Sequence, residues 1–294
     1  MRRFAVGALL LALALTAAAQ DVQMNTPDTA LPNGDNYTSQ SETCHTRTAN
    51  VMIAAWNDTS ELGTLGAMFQ SLTGWGYTTD GINFTPAGTL PPPSGWEFES
   101  DPAVAAATDG TIYMAALMTN DNKATVKALG VAQSTSNVAP ITFGTPVVLN
   151  VADPTLQVDK ELMAVDTSGG PFDGRVYVAL DQGTPGDTQI LVTSSTSQSP
   201  LAFAPWQAVT PLHDAHYSGA MPVVGPDGTA YLVWARYELQ FDTTVGMKFQ
   251  IVKSTDVGMT WINPDPADAN PAKTITGAIP PTPCPAAQTT RLGR

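Results

Sequence analysis

Apolar and polar residues alternate along most of this chain in short runs, broken every few residues by Gly, Pro, Asn, Asp or Ser. That is the pattern of half-buried strands joined by tight turns. Lys248-Phe249-Gln250-Ile251-Val252-Lys253 shows the alternation, and Val51-Met52-Ile53-Ala54-Ala55-Trp56 is a short continuous apolar run of strand length. The 24 Gly and 24 Pro are spread over the whole sequence, and no segment after Leu15 keeps a helical period. The pattern predicts an all-β chain.

The runs recur. An aromatic follows a polar turn at Phe84, Phe143, Phe203 and Trp261, in steps of 59, 60 and 58 residues. Ser134, Ser194 and Ser254 open those turns at steps of 60, with Thr78 slightly offset in the first unit. Asp-Gly before a β-rich run appears at Asp109-Gly110, Asp173-Gly174 and Asp227-Gly228, a strong hairpin signal because both turn residues tolerate positive φ. Asn50 takes that place in the first unit. Each unit parses into four strands. An inner strand starts at Glu42, Asp101, Asp159 or near Ser218, and a second follows the Asp-Gly turn. A third runs into the polar turn, and a fourth leaves the aromatic, as in Phe143–Leu149 and, last, Lys273–Ile279. Four antiparallel strands per unit of about sixty residues predict a β-propeller blade, and four such blades. A flat sandwich is the competing all-β arrangement.

The ends and the charge add context. Arg2-Arg3, the apolar stretch Phe4–Leu15 and Ala17-Ala18-Ala19 have the form of a secretory signal with an A-x-A cleavage site. A membrane anchor is the alternative reading, but the apolar stretch is short for one. Residues 1–19 are therefore expected to be a signal peptide and 20–39 an N-terminal extension. Residues 40–280 form the expected propeller, and 281–294 an irregular Pro-rich tail. The expected location is secreted or periplasmic, with no membrane contact after cleavage. The full chain has 13 Lys+Arg against 26 Asp+Glu, a net charge of −13. Without Arg2 and Arg3 the balance is −15, which argues against nucleic acid and anionic membranes as partners. Cys44 and Cys284 stand near the two ends of the mature chain. In an oxidising compartment a bond between them would tie those ends together; two free thiols are the alternative.

The last polar turn reads Ser254-Thr255-Asp256-Val257-Gly258-Met259-Thr260-Trp261, which fits S-x-D-x-G-x-T-W at every fixed position. Asp80, Gly81 and Phe84 belong to a shortened version at Thr78. The physics is that of a staple. The carboxylate accepts hydrogen bonds from turn amides, the glycine takes a conformation other residues resist, and the aromatic buries apolar surface. On these residues, and on Ser100-Asp101-Pro102-Ala103-Val104 and Gly174-Arg175-Val176-Tyr177, the chain resembles the Asp-box, or bacterial neuraminidase repeat, family. It looks especially like exported sialidase-like propellers. The resemblance runs from about Gln40 to Trp261.

That resemblance implies a six-bladed propeller whose site clamps a sugar carboxylate with three arginines. It also implies a Tyr/Glu nucleophile pair and an Asp acid/base. The chain departs from this pattern. It lacks the F/Y-R-I-P stretch, and the five mature arginines are Arg47, Arg175, Arg236, Arg291 and Arg294. Only Arg47 and Arg236 stand clear of repeat turns and tail, and no triad carries over. The four units either close on themselves or form part of a larger ring. The expected function is a non-catalytic glycan- or protein-binding propeller, with a diverged or truncated exo-sialidase as the alternative.

Three groups are candidate sites. Glu42, Asp101 and Asp159 repeat at the start of the inner strands and would ring the channel mouth, where they could hold Ca²⁺. Each could equally cap its own turn, and Lys160 could neutralise the ring with no ligand. No cofactor is required by any motif. Trp96, between the first two units, could stack on a sugar or anchor its Pro-rich loop. His213 and His216 could share a metal, but no third ligand is evident.

Overall fold

A computed structural model describes residues 40–58, 71–120, 126–151, 153, 155–184, 186–212, 215–240, 243–265, 267 and 270–275. Each repeat unit forms one antiparallel sheet. The first contains β1 (Gln40–Arg47), β2 (Met52–Asp58), β3 (Thr73–Thr78) and β4 (Thr85–Thr89) in that order. The second contains β5 (Glu97–Ala106), β6 (Ile112–Thr119), β7 (Ala128–Gln133) and β8 (Val147–Asn150). In the third, β9 (Gln157–Val165), β10 (Val176–Thr184) and β11 (Asp187–Gln198) are followed by a fourth strand in two pieces, β12 (Leu201–Phe203) and β13 (Gln207–Ala208). The last contains β14 (His216–Val224), β15 (Ala230–Gln240), β16 (Thr243–Ser254) and β17 (Lys273–Ile275). The expected four-strand units are all present, and the inner strands begin two to four residues before the expected starts. Residues 276–279 of the expected last strand lie outside the described residues.

Three apolar cores lie between the four sheets. Ile53, Trp75 and Phe98 help join the first sheet to the second. Tyr113, Leu129, Val178 and Leu180 help join the second to the third. Ile190, Tyr217, Leu232 and Trp234 help join the third to the fourth. Alternation decides which residues take part. In β15, Leu232 and Trp234 point into the third core, while Tyr231 and Val233 on the opposite face are only partly covered. Close approach matters as much as size. A Cβ on Gly130 would come within 2.5 Å of Met118 Sδ and 2.7 Å of a Phe98 ring carbon, so only glycine lets those two side chains fill the core there.

The ring is not closed among the described residues. Four sheets make three interfaces, and among the described residues the far face of the fourth sheet has no partner sheet. Met221, Val223, Phe249 and Ile275 stand on that face, at 37–55% exposure. The four units therefore form an arc of a β-propeller, and the sandwich alternative is excluded by the face-to-face sequence of sheets.

Trp234 is the largest of the fully buried side chains and donates from Nε1 to Gln250 Oε1 at 3.3 Å. Trp234→Ala is expected to lower unfolding free energy by about 3–5 kcal/mol, by loss of apolar contact and an unfilled cavity. Chemical denaturation followed by tryptophan fluorescence and circular dichroism reads this out. A loss below about 1 kcal/mol would mean that the third core is not packed as described.

Candidate functional site

Each inner strand carries one extra residue at the same place. Between Ser41 and Cys44, Ser100 and Ala103, Asp159 and Leu162, and Ser218 and Met221, the strand advances three residues while its neighbour advances two. These are β-bulges, and each holds one residue with positive φ: Glu42 at 51°, Asp101 at 54°, Lys160 at 49° and Gly219 at 68°. The four positions are spaced by 59, 59 and 59 residues. Only glycine takes this conformation freely, so three of the four sites hold a strained residue. The bulges turn these side chains toward the propeller axis.

This corrects one expectation. Asp159 was read as the third member of the axial ring, but the repeated position in the third unit belongs to Lys160. Asp159 aligns instead with Ser41, Ser100 and Ser218, one residue before the bulge. The fourth member is Gly219, which brings no side chain.

Three of the expected residues meet. Lys160 Nζ donates to Glu42 Oε2 at 3.1 Å and Oε1 at 3.2 Å, and to Asp101 Oδ2 at 3.0 Å. Asp159 Oδ1 stands 3.9 Å from the same nitrogen and accepts from the Lys160 amide at 2.8 Å. Asn57 ties the cluster to β2, donating from Nδ2 to Asp101 Oδ1 at 3.0 Å and accepting from the Asp101 amide at 2.6 Å. Three sheets thus meet through one ammonium. Burial pushes the Asp101 carboxyl up, but hydrogen bonds from Asn57 and Lys160 outweigh it and hold the group below its ordinary range. Burial pulls Lys160 down, and its bonds to Asp101 and Glu42 more than reverse this.

Beneath the cluster is a cavity of about 220 Å³, lined by Glu42, Cys44, Asp101, Lys160, Glu161 and Gly219 among others. Glu161 is 3% exposed, and among the described residues its carboxyl has no hydrogen-bond partner from another residue; only its own amide approaches it. Burial raises it well above the usual carboxyl range, and the charges of Asp101 and Asp159 add to the effect. Asp181, opposite Asp159 on β10, is pushed up to about 7 by burial and by the Asp159 charge. Cys44 is a free thiol whose burial pushes it up to about 12. Its expected partner Cys284 lies outside the described residues. Among the described residues, no group of three or more His, Cys, Asp and Glu side chains is placed to hold a metal ion. Where the acids converge, the Lys160 ammonium is the cation between them.

The described arginines do not gather at the mouth. Arg47 ends β1, at the opposite end of the channel, and lines a cavity of about 430 Å³ with Thr48, Asp109 and Thr167. Arg175 donates to the Ser195 carbonyl and lies over the Phe172 ring. Arg236 alone is on the mouth side, with its guanidinium 5.9 Å from the Tyr217 ring centre. Arg291 and Arg294 lie outside the described residues.

The remaining candidates are also placed. Trp96 packs partly buried against the core between the first two sheets, its amide bonded to the Pro93 carbonyl, and so acts as an anchor for its loop. His216 opens β14, with its ring 5.1 Å from that of Tyr237; His213 lies outside the described residues. The turn Ser254–Trp261 is stapled as its residue types require. Asp256 accepts from Ser254 Oγ at 2.7 Å, from the Thr260 amide at 2.9 Å and from Thr260 Oγ1 at 2.6 Å. Gly258 has φ +83°, and a Cβ there would press on Ser194 and Tyr177 of the third sheet. The turn thus docks one sheet on the next, with Ser194 Oγ donating to the Val257 carbonyl at 2.7 Å. Asp80 accepts from the amides of Ile82 and Asn83 at 2.8 Å each, in the first unit.

No family profile matches the chain, and no curated protein matches it. Solved structures do. A Trypanosoma rangeli sialidase in complex with sialic acid is 14% identical with a TM-score of 0.50, over 82% of this chain and 40% of that one. A thermostable family-43 glycoside hydrolase is 13% identical with a TM-score of 0.47, over 85% of this chain and 76% of that one. A Penicillium chrysogenum α-L-arabinanase complexed with arabinobiose is 18% identical with a TM-score of 0.46, over 74% and 58%. The four sheets and the likeness to the sialidase make the fold class a β-propeller. The chain spans about two fifths of the sialidase's length.

The raised carboxyls give the site a pH signature. Asp181 holds its proton more tightly folded than unfolded, so it stabilises the fold below its ordinary value of 3.8 and loses that contribution as pH rises through about 7; Glu161 acts in the same direction. Asp101, Asp153, Asp227 and Asp256 are shifted the other way, and their effect falls below their ordinary value of 3.8. Thermal unfolding is expected to give a lower Tm at pH 7 than at pH 5. Asp181→Asn should shrink that difference and raise Tm at pH 7 relative to wild type. An unchanged difference would show that Asp181 is not buried as a neutral acid.

Proposed function

We propose that this chain is an exported, glycan-recognising propeller of the sialidase-like, Asp-box type, which binds saccharide at its axial mouth and does not cleave sialosides. The observation that carries this is the Lys160–Glu42–Asp101 cluster. An anionic sugar would meet carboxylates where a sialidase presents guanidinium groups, and Lys160 is already engaged by two of them. Sialic acid is therefore the wrong ligand for this mouth on electrostatic grounds. The tandem sheets and the stapled turns at Asp80 and Asp256 support the Asp-box assignment. Export rests on the form of residues 1–19, and the acidic balance agrees with an extracellular role.

A second reading, hydrolysis of a non-sialic glycosidic bond, is favoured by one observation. Glu161 and Asp181 are buried acids whose carboxyls burial raises, Asp181 to about 7, the direction a general acid needs.

The purified mature protein, shown to be folded, is expected to leave a fluorogenic sialoside intact and to bind neutral or basic glycans on an array. Turnover of the sialoside, blocked by a sialic-acid transition-state analogue, would overturn the main reading. Turnover of a neutral nitrophenyl glycoside that is lost in Glu161→Gln would establish the second.

A further inference from the structure

We propose that the uncovered face of the fourth sheet joins two copies of this chain, face to face, with the strands of one antiparallel to those of the other. The inference goes beyond glycan binding and does not depend on it. Strand register makes the face one continuous apolar surface. Met221, Val233 and Ile251 stand side by side across three strands, and Phe249 stands between Ala235 and Ile275. Met221, Val223, Phe249 and Ile275 are 37–55% exposed. Single apolar residues scattered over a surface need no explanation, but a contiguous apolar patch marks a contact.

The repeat shows what kind of contact. Val131, Ile190 and Phe249 share one repeat position, at steps of 59 and 59. Val131 is buried between the second and third sheets, and Ile190 between the third and fourth. Phe249 is their counterpart, with no following sheet among the described residues. Ala103, Leu162 and Met221 are related in the same way, again at steps of 59 and 59. Ala103 lies in the core between the second and third sheets, and Leu162 stands opposite Ala179 of the next core. The natural occupant of the face is therefore another β-sheet, packed about 10 Å away.

Two observations make that sheet the same face of a second copy. A head-to-tail contact would use the outward face of the first sheet, but Ala54 and Trp56 on that face are only 2% and 5% exposed. The face left to each copy is that of the fourth sheet, and a contact of one face with itself closes under a twofold axis. Charge is the second observation. With 26 acidic against 13 basic side chains, two copies repel over most of their surface. Among the described residues no acid stands on this face. Its charged members, Lys253 and Lys273, are at the turn end, and Lys273 pairs with Asp265 at 2.7 Å. A twofold axis across the strands sets Lys253 of each copy over the other's mouth end, beside Met247 and Tyr237. An axis along the strands would stack the two Lys253 side chains together. The pairing is therefore antiparallel, and the two axial mouths open in opposite directions. Four strands about 4.8 Å apart present roughly 300–400 Å² per copy, low for a specific interface, so the dimer is weak and reversible.

Sedimentation velocity of the mature chain over roughly 1–100 µM tests this. The average mass should rise with concentration from one chain toward two and stop there. Met221→Glu and Phe249→Glu, both at exposed positions, should each hold the protein at one chain with an unchanged circular dichroism spectrum. The rise is measured on the wild-type chain, so a misfolded variant would not remove the test. A single chain at every concentration would overturn the inference. So would a dimer that persists in both folded variants, or growth beyond two chains, which would mean head-to-tail contact. A dimer seen only after residues 276–294 are removed would assign the face to that segment and overturn the inference as well.

Discussion

Everything at the axis depends on a bulge repeated at one spacing. An ordinary strand points successive side chains to alternate faces, and neither face looks down the channel. The extra residue in each inner strand breaks this alternation, and the positive φ at Glu42, Asp101, Lys160 and Gly219 turns the chain inward at four matched places. Glycine would adopt that conformation without strain. Keeping Glu42, Asp101 and Lys160 there costs roughly 1–2 kcal/mol per residue. The strain is offset in part by the contacts it creates, since the Asn57–Asp101 exchange and the Lys160 pairs link three sheets that share no backbone hydrogen bonds there.

Much of this was legible in the sequence, because repetition is a property of sequence. The aromatic, Ser and Asp-Gly markers each recur near sixty residues, and each unit folds into one sheet with the expected strand order. The axial position was legible to within one residue. Choosing acids by type led to Asp159, at a step of 58, while the constant step of 59 pointed to Lys160 and then to Gly219. Register was the better guide because the bulge is a backbone feature and does not depend on which side chain it carries. Glu161 and Asp181 were missed for a different reason. Each sits inside an apolar run, Leu162-Met163-Ala164-Val165 after the first and Val176-Tyr177-Val178-Ala179-Leu180 before the second. A charged residue at an inward position of such a run is itself the signal. Cys44 offers the reverse case: its place near one end of the chain suggested a bond, and its place beside the axis could not be read without the bulge.

The arginines show where a family resemblance stops being informative. The stapled turns and the sheet order both serve packing. Asp256 holds its turn, and Gly258 lets that turn press on Ser194 and Tyr177. None of that demands any particular axial chemistry. Arg47 and Arg236 lie toward opposite ends of the channel, and Arg175 is engaged by Ser195 and Phe172. Fold and site are therefore separable here, as they are in general for widely used folds.

The open ring bears on the same site. Three cores join four sheets, and the fourth sheet ends in a face that carries Met221, Val223, Phe249 and Ile275 with no sheet packed on it among the described residues. Yet the axial cluster is complete without a fifth sheet. Its ion pairs come from the first three units, and the fourth contributes only Gly219, which leaves space where a side chain would stand. The cavity beside Glu161 exists because the repeated position loses its side chain at the last step. A side chain at that position would project toward the cavity, and at φ +68° it would carry the same strain that Glu42, Asp101 and Lys160 bear in the other three bulges. The same glycine therefore relieves one bulge of strain and leaves open space beside the axial cluster.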